Sequence, residues 1–126
     1  MNKSEQGKKN RKSGAEFERK VRADLESEGY IISKWMNNID LDKNKMIPAK
    51  HKFNPFMKAM TFGVGFPDFV CINIISSEIK FVECKTNGKL DKTEKEKCAW
   101  YADKFGIDVI VASKDEKKIK YKKWNW

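Results

Sequence analysis

After a basic, polar stretch, apolar residues recur four positions apart along the chain, a spacing that predicts an amphipathic helix. The residues of this apolar stripe are Phe17, Val21 and Leu25. Ser13 is a candidate N-cap for the helix, and Gly29 can end it. Residues 1–13 lack apolar periodicity, so we expect a disordered basic arm there, followed by a single domain over residues 14–126.

Shorter apolar runs later in the chain predict β-strands. Residues 30–35 read YIISKW, a β-branched and aromatic run typical of a strand. Two further runs are separated only by the polar residues 76–78, which are enough for a hairpin turn. Asp68 lies at the head of the first of these runs and Lys85 at the tail of the second.

A second helix and further strands complete the pattern. The segment KTEKEKCAWYADKF predicts a helix that Asp91 or Thr93 caps and Gly106 ends. Residues 107–112, IDVIVA, are almost continuously apolar, as expected of a strand covered on both faces. The segment IKYKKW then predicts an edge strand with outward-facing lysines.

A basic and aromatic insertion over about residues 36–60 interrupts this order. Asn37-Asn38 and residues 40–45 predict turns or an excursion, and Met46-Ile47 predicts a short strand. Apart from the insertion, a hairpin is followed by a helix and another strand. This order predicts an α/β fold with one small mixed sheet and helices on both of its faces.

Charged residues of the predicted hairpin converge at one end of the sheet. Glu83 and Lys85 share one strand face, and pairing brings Asp68 of the other strand beside them. Glu18 lies about 60° from the centre of the apolar stripe of the first helix, so it can reach the same edge. The residues therefore predict a metal site, although a surface ion pair of Glu83 and Lys85 and a solvated Glu18 are the simpler alternatives.

The net charge of +9 is concentrated at the two ends of the chain. The first 13 residues carry five Lys or Arg and one acid, and the last 13 carry six and two, which together account for eight of the nine net charges. Basic ends favour a polyanionic partner, but lysines that only maintain solubility explain the charge equally well. No run of about 18 apolar residues exists, so we expect no membrane span.

The cysteines are odd in number and lie in or beside apolar segments, at Cys71, Cys84 and Cys98. Paired ligands at the short spacing of a zinc site are absent from the sequence. We therefore expect buried thiols in a reducing, cytoplasmic environment, that of a host cell if the source is viral.

The residues that carry a family resemblance are Glu18, Pro67-Asp68 and Glu83-Cys84-Lys85. This pattern resembles the PD-(D/E)XK nuclease superfamily, and within it the archaeal Holliday junction resolvases and the virus-type replication and repair nuclease domains. Gly14 precedes Glu18-Arg19 at the spacing of their first helix, and KFGIDVIVAS resembles their helix end and next strand. The resemblance covers roughly residues 14–113 and implies a restriction-endonuclease-like αβββαβ core.

The resemblance also implies a metal-dependent DNA endonuclease, structure-specific in the manner of a junction resolvase. Asp68 and Glu83 would ligate Mg²⁺ or Mn²⁺ together with the carbonyl of Cys84, and Glu18 would hold a water or a second ion. Lys85 would orient or deprotonate the attacking water and stabilise the reacting phosphate. A homodimer would fit symmetric cutting of a branched DNA.

Two departures from the family leave the substrate open. The insertion replaces a short Ser-Gly segment of the resolvases. The glutamine common in the last helix of the virus-type domains is missing, and Glu94 or Lys95 stands near its place. The alternatives are a nuclease for linear, flapped or single-stranded DNA, and a non-catalytic nucleic-acid-binding module with the same fold.

The residues expected to contact nucleic acid are His51, Lys52, Lys58, Thr61 and Lys89. Mixed basic and aromatic side chains can contact phosphates and bases, although aromatic residues that only pack the insertion against the domain are an equal alternative. For Trp124 and Trp126 we expect packing against the edge of the core rather than stacking on bases.

Overall fold

The computed structural model describes residues 3–49, 52–54, 59–61 and 65–125. The first helix, α1, spans Lys3–Ser27 and therefore begins before Ser13, so the predicted N-cap is wrong and the helix continues into the basic arm. The arm consists largely of Lys, Glu, Gln and Arg, which are good helix formers, and a helix anchored by its apolar stripe can extend through them. Gly29, with φ of +94°, follows the helix end as predicted.

Within the described ranges, nine strands and one further helix follow α1. In chain order they are β1 (Tyr30–Lys34), β2 (Asn37–Asp40), β3 (Lys45–Pro48), β4 (Lys52–Asn54), β5 (Ala59–Thr61), β6 (Phe69–Asn73), β7 (Ile79–Cys84), α2 (Lys92–Phe105), β8 (Val109–Asp115) and β9 (Lys118–Lys123). The main sheet has five strands in the order β1-β6-β7-β8-β9. Only β7 and β8 pair in parallel, because α2 connects them as a crossover, so the predicted mixed sheet is confirmed.

The sheet carries a core on each face. Phe69 and Cys71 of β6 pack with the apolar stripe of α1, whereas Val70, between them, packs on the side of α2. This alternation follows from the strand period of two. The structure thus confirms one sheet with a helix on either face.

The insertion forms two antiparallel strand pairs, β2 with β3 and β4 with β5. The predicted short strand at Met46-Ile47 is confirmed within β3, whereas the predicted turn at Asn37-Asn38 is wrong. Asn37-Asn38 lies in β2, which pairs with β3, and the turn falls at residues 41–44. The side chain of Ile39 is only 4% exposed and belongs to the core on the side of α2. Burial of this residue explains why the segment is extended despite its asparagines.

Trp124 and the buried cysteines Cys71 and Cys98 behave as predicted, whereas Cys84 is only partly buried, contrary to the prediction. Trp124 packs against the core on the side of α2, while Trp126 lies outside the described residues. All three cysteines are free, and Cys71 and Cys98 are buried. Burial raises the pKa of Cys71 to about 11, so its thiol is neutral near pH 7. In the described ranges we find no helix with both the length and the apolar character needed to cross a membrane.

The hydroxyl of Tyr101 fixes the segment that leads into Asp68. It donates a hydrogen bond of 2.6 Å to the carbonyl of Phe66 and accepts one of 3.0 Å from the indole of Trp35. Tyr101 is fully buried, so removal of its hydroxyl would leave the buried carbonyl of Phe66 and the partly buried indole of Trp35 without this partner.

We expect Tyr101→Phe to lower the free energy of unfolding by about 1–3 kcal/mol, the usual cost of unsatisfied buried polar groups. Urea unfolding monitored by circular dichroism measures this loss. The matched test is a double-mutant cycle with Trp35→Phe, in which the two losses should be less than additive because the residues share one bond. Strict additivity would contradict the proposed network.

Candidate active site

The predicted convergence at the open end of the hairpin is present. Phe69 pairs with Val82, so Asp68 and Glu83 lie opposite each other at the ends of β6 and β7. The backbone N–H of Asp68 donates to Glu83 Oε1 at 3.1 Å, and the N–H of Cys84 donates to Asp68 Oδ2 at 2.8 Å. Each carboxylate is therefore held by the backbone of the opposite strand.

Glu83 is the one buried charged side chain in the part of the chain that the structure describes, with 5% exposure. Burial, followed by the charge and the hydrogen bond of Asp68, raises the pKa of Glu83 to about 10, against the opposing effect of Lys85. A hydrogen bond with Glu94 also favours the protonated form. Without an added cation, Glu83 is thus neutral near pH 7, and a cation at the carboxylates would favour its ionised form.

Glu18 reaches the same place from α1. Burial and then the negative charge of Asp68 raise the pKa of Glu18, while the cation of Lys34 lowers it. Glu18 and Asp68, fifty residues apart in sequence, line the same pocket. The structure therefore confirms that this glutamate lies at the rim of the core and not on the solvated side of the helix.

Lys85 is held by a residue that the sequence analysis did not assign to the site. Its amine forms an ion pair of 2.6 Å with Glu94 Oε2, and Glu94 Oε1 accepts the backbone N–H of Asp91, the N-cap of α2. Asp91 in turn accepts the N–H of Glu94, which completes a capping box. The Asp-x-x-Glu spacing was visible in the sequence, but the ion pair requires α2 to pack beside β7.

The pKa of Lys85 reflects this pair. Partial burial alone lowers the pKa, but the hydrogen bond and the charge of Glu94, with help from Glu83, outweigh burial and raise it. Lys85 is therefore a cation near pH 7. Two roles were predicted for Lys85, namely stabilisation of the phosphate and deprotonation of the water. A protonated amine cannot accept a proton, so the charge of Lys85 favours stabilisation of the phosphate.

These side chains line a common pocket of about 470 Å³. Its charged residues are Glu18, Asp68, Glu83, Asp91, Glu94, Lys85 and Lys97. Carboxylates thus outnumber amines five to two. The amine of Lys97 lies over the ring of Phe66, 5.8 Å from the ring centroid. A pocket with this excess of oxygen ligands suits a hard divalent cation.

As they stand, no three His, Cys, Asp or Glu side chains among the described residues are arranged to hold a metal ion. Asp68 and Glu83 each have one oxygen bonded to backbone, and the Glu83 carboxyl also forms hydrogen bonds with Asp68 and Glu94. The donor set fits Mg²⁺ or Mn²⁺ in kind, because it consists of oxygen ligands whose mutual repulsion a cation would relieve. The ligand roles of Asp68, Glu83, Cys84 and Glu18 remain predictions.

The residues predicted to contact nucleic acid are only partly covered by the structure. His51 and Lys58 lie outside the described residues. Lys52 and Thr61 pair with each other in β4 and β5, of which we describe only the backbone. Lys89 is exposed and belongs to a second pocket, which is lined by further lysines.

Comparison with known proteins identifies the fold. No family model and no curated protein matches the chain. Among solved structures, the chain is similar to Hjc, a Holliday junction resolvase from the archaeal hyperthermophile Archaeoglobus fulgidus, with a TM-score of 0.56 and 20% sequence identity. The match covers 89% of this chain and 78% of the resolvase chain.

This chain has the restriction-endonuclease-like fold. The family resemblance found in the sequence is thus confirmed at the level of the fold. Within that fold, the hairpin of β6 and β7 carries the carboxylates and Lys85, and α1 and α2 contribute Glu18 and Glu94.

Proposed function

We propose that this protein is a metal-dependent endonuclease that hydrolyses phosphodiester bonds in DNA, with branched DNA as its preferred substrate. The observation that carries the proposal is the meeting of Asp68, Glu83 and Lys85 in one pocket, with Glu18 beside them. A carboxylate cluster with one positioned amine matches the needs of phosphodiester hydrolysis, which are a held water, neutralised charge and a stabilised phosphate. The fold shared with an archaeal resolvase supports the proposal.

Asp68, Glu83 and the carbonyl of Cys84 would hold Mg²⁺ or Mn²⁺, with Glu18 at the side. When bound, such an ion neutralises phosphate charge and makes a coordinated water easier to deprotonate. Glu18 would hold the attacking water, and its raised pKa makes it a better proton acceptor than an ordinary glutamate.

Lys85 would donate hydrogen bonds to the non-bridging oxygens of the reacting phosphate. Its raised pKa keeps it charged near pH 7, and the capping box holds Glu94 so that the amine stays oriented. The phosphate would share this amine with Glu94 or displace that residue. Preorganisation of one cation in a partly dry pocket is worth most in the transition state, where negative charge on the phosphate oxygens must be stabilised.

Symmetric cutting of a four-way junction requires two active sites, and we propose that a homodimer provides them. One face of the sheet carries a cross-strand row in which Ile31 pairs with Ile72 and Ile72 pairs with Ile79. These side chains are 58%, 41% and 50% exposed, respectively. A row of exposed isoleucines on a sheet is typical of a surface that another subunit covers.

We expect Ile72→Lys to convert the dimer into a monomer, because a charge in the middle of this row would be buried without a partner. Sedimentation velocity measures the change. Ser13→Lys adds the same charge at an exposed position of α1 and should leave the mass unchanged. A wild-type protein that sediments as a monomer would contradict the proposed dimer. It would also contradict cleavage of both junction strands by a single assembly with two active sites.

Incubation with end-labelled four-way junction, flap and linear DNA, each with Mg²⁺, Mn²⁺ or EDTA, tests the proposed activity. We expect cleavage of the junction with either ion and no product in EDTA. Products from flap or linear DNA alone would support the nuclease and overturn the preference for junctions. No metal-dependent product from any substrate would favour a non-catalytic nucleic-acid-binding module.

A further inference from the structure

A second pocket, of about 320 Å³, lies beside the active site and is lined by cations without a carboxylate. Its lysines come from three elements, namely the turn before α2, α2 itself and β9. They are Lys89, Lys95, Lys122 and Lys123. The remaining wall includes Leu90, Val111 and Trp124, so the lysines surround a partly apolar floor.

Two lysines of this pocket, Lys122 and Lys123, are adjacent residues of β9. Lys123 pairs with Asp108 at 3.6 Å, but both side chains are largely exposed, and such pairs contribute little. On β9, the positive charge of Lys120 lowers the pKa of Lys122, so neighbouring cations repel one another there. An anion in the pocket would relieve this repulsion.

Trp124 provides an independent indication of a ligand. Its indole N–H is buried and has no hydrogen-bond partner in the part of the chain that is described. A buried donor without a partner costs about 1–3 kcal/mol, so one normally has an acceptor in the functional state. Because this N–H is buried, a phosphate oxygen bound by the lysines would accept from it once the Trp124 side chain shifts toward the pocket that it lines.

A single short segment joins the two pockets. Lys85 lines the active site and Lys89 lines the second pocket, with a turn between them closed by a 2.8 Å bond from Gly88 N–H to the Lys85 carbonyl. Gly88 has φ of +72°, which favours glycine. Along α2, Asp91 likewise lines the first pocket and Lys95, one turn later, the second.

We propose that the second pocket binds a backbone phosphate of the same nucleic-acid strand, next to the scissile phosphate. The proposal rests on the proposed nuclease function and adds the direction in which the strand leaves the active site. Even with Glu83 neutral, the active-site pocket has four other carboxylates and only two amines, so it repels a phosphate until a cation is bound. The strand therefore needs a cationic contact nearby, and the lysine pocket provides it without a metal.

Fluorescence anisotropy in EDTA with a labelled four-way junction tests this contact in the absence of cleavage. We expect Lys89→Ala with Lys95→Ala to weaken binding about tenfold and to reduce the slope of log K against log salt by about 1–2. Trp124→Phe keeps an aromatic ring at this position but removes the indole N–H, and it should weaken binding of the junction by a smaller factor than the double variant does. Lys104→Ala is the matched control, because Lys104 lies nine positions from Lys95, roughly on the opposite face of α2.

The results separate this proposal from the nuclease function. If the wild type cleaves DNA and the double variant binds the junction as tightly as the wild type, the proposed phosphate contact in the lysine pocket is wrong and the nuclease function still stands. Loss of binding by the double variant but not by Lys104→Ala would support the pocket, whether or not the wild type cleaves DNA. The same titration with thymidine monophosphate distinguishes a strand from a free nucleotide. If the double variant loses binding of the mononucleotide but binds the junction as the wild type does, the pocket does not contact a strand.

Discussion

Replacing Lys85 with alanine is expected to reduce metal-dependent cleavage of junction DNA by a factor of about 10²–10³, the usual loss when one preorganised donor to a transition state is removed. Lys85 is the amine at the carboxylate cluster whose position is fixed by an ion pair, at 2.6 Å from Glu94. Its removal takes away a cation that the phosphate needs, while the carboxylate ligands keep their backbone bonds. Single-turnover cleavage with saturating Mg²⁺ measures the loss.

The fold should survive this substitution. The Lys85 side chain is 32% exposed and forms a single ion pair, so we expect the free energy of unfolding to change by less than about 1 kcal/mol. Lys104→Ala, on the same protein but away from the pocket, should cleave at the wild-type rate. A cleavage rate of Lys85→Ala within a factor of about two of wild type would mean that another group performs the chemistry.

Glu83→Gln is expected to abolish cleavage and, in the absence of divalent ions, to stabilise the protein by about 1–3 kcal/mol at alkaline pH. The amide can still accept the N–H of Asp68, and it can donate to the carboxylates of Asp68 and Glu94. The wild-type side chain must instead be protonated or keep a charge at a position that is 5% exposed. Function and stability therefore oppose each other at this residue.

The pH dependence gives this prediction its sign. The pKa of Glu83 is raised from 4.5 to about 10 on folding, so the folded state binds the additional proton. Its contribution to stability is complete below pH 4.5 and is lost as the pH rises towards about 10. The advantage of Glu83→Gln should therefore grow across this window, as measured by urea unfolding at about pH 5 and about pH 9.

Added Mg²⁺ provides the matching test of ligation. The wild type should gain stability with Mg²⁺, most at high pH, because an ion that binds only the folded state stabilises it. Glu83→Gln should lose this response, whereas Glu96→Gln, which removes the same charge from an exposed position of α2, should retain it. Equal Mg²⁺ responses in wild type and Glu83→Gln would rule out Glu83 as a ligand.

The sequence alone determined the elements whose signals are local. The four-residue spacing of α1, the turn between β6 and β7, and the Asp91 cap and Gly106 end of α2 all depend on neighbours within a few positions. The turn begins two residues earlier than predicted and spans residues 74–78. The convergence of Asp68 with Glu83 was equally predictable, because a hairpin and a period of two suffice to bring them together. For these features the chain needs no information from distant residues.

Other features were decided only by the tertiary structure. Burial of Ile39 against the core makes an asparagine-containing segment a strand, and packing of α2 beside β7 turns an ordinary capping glutamate, Glu94, into the partner of Lys85. The pKa of Glu83 and the lysine pocket around Trp124 likewise depend on which elements face each other. Burial and electrostatic coupling act through space between residues distant in sequence, so a pattern of neighbours along the chain does not contain them.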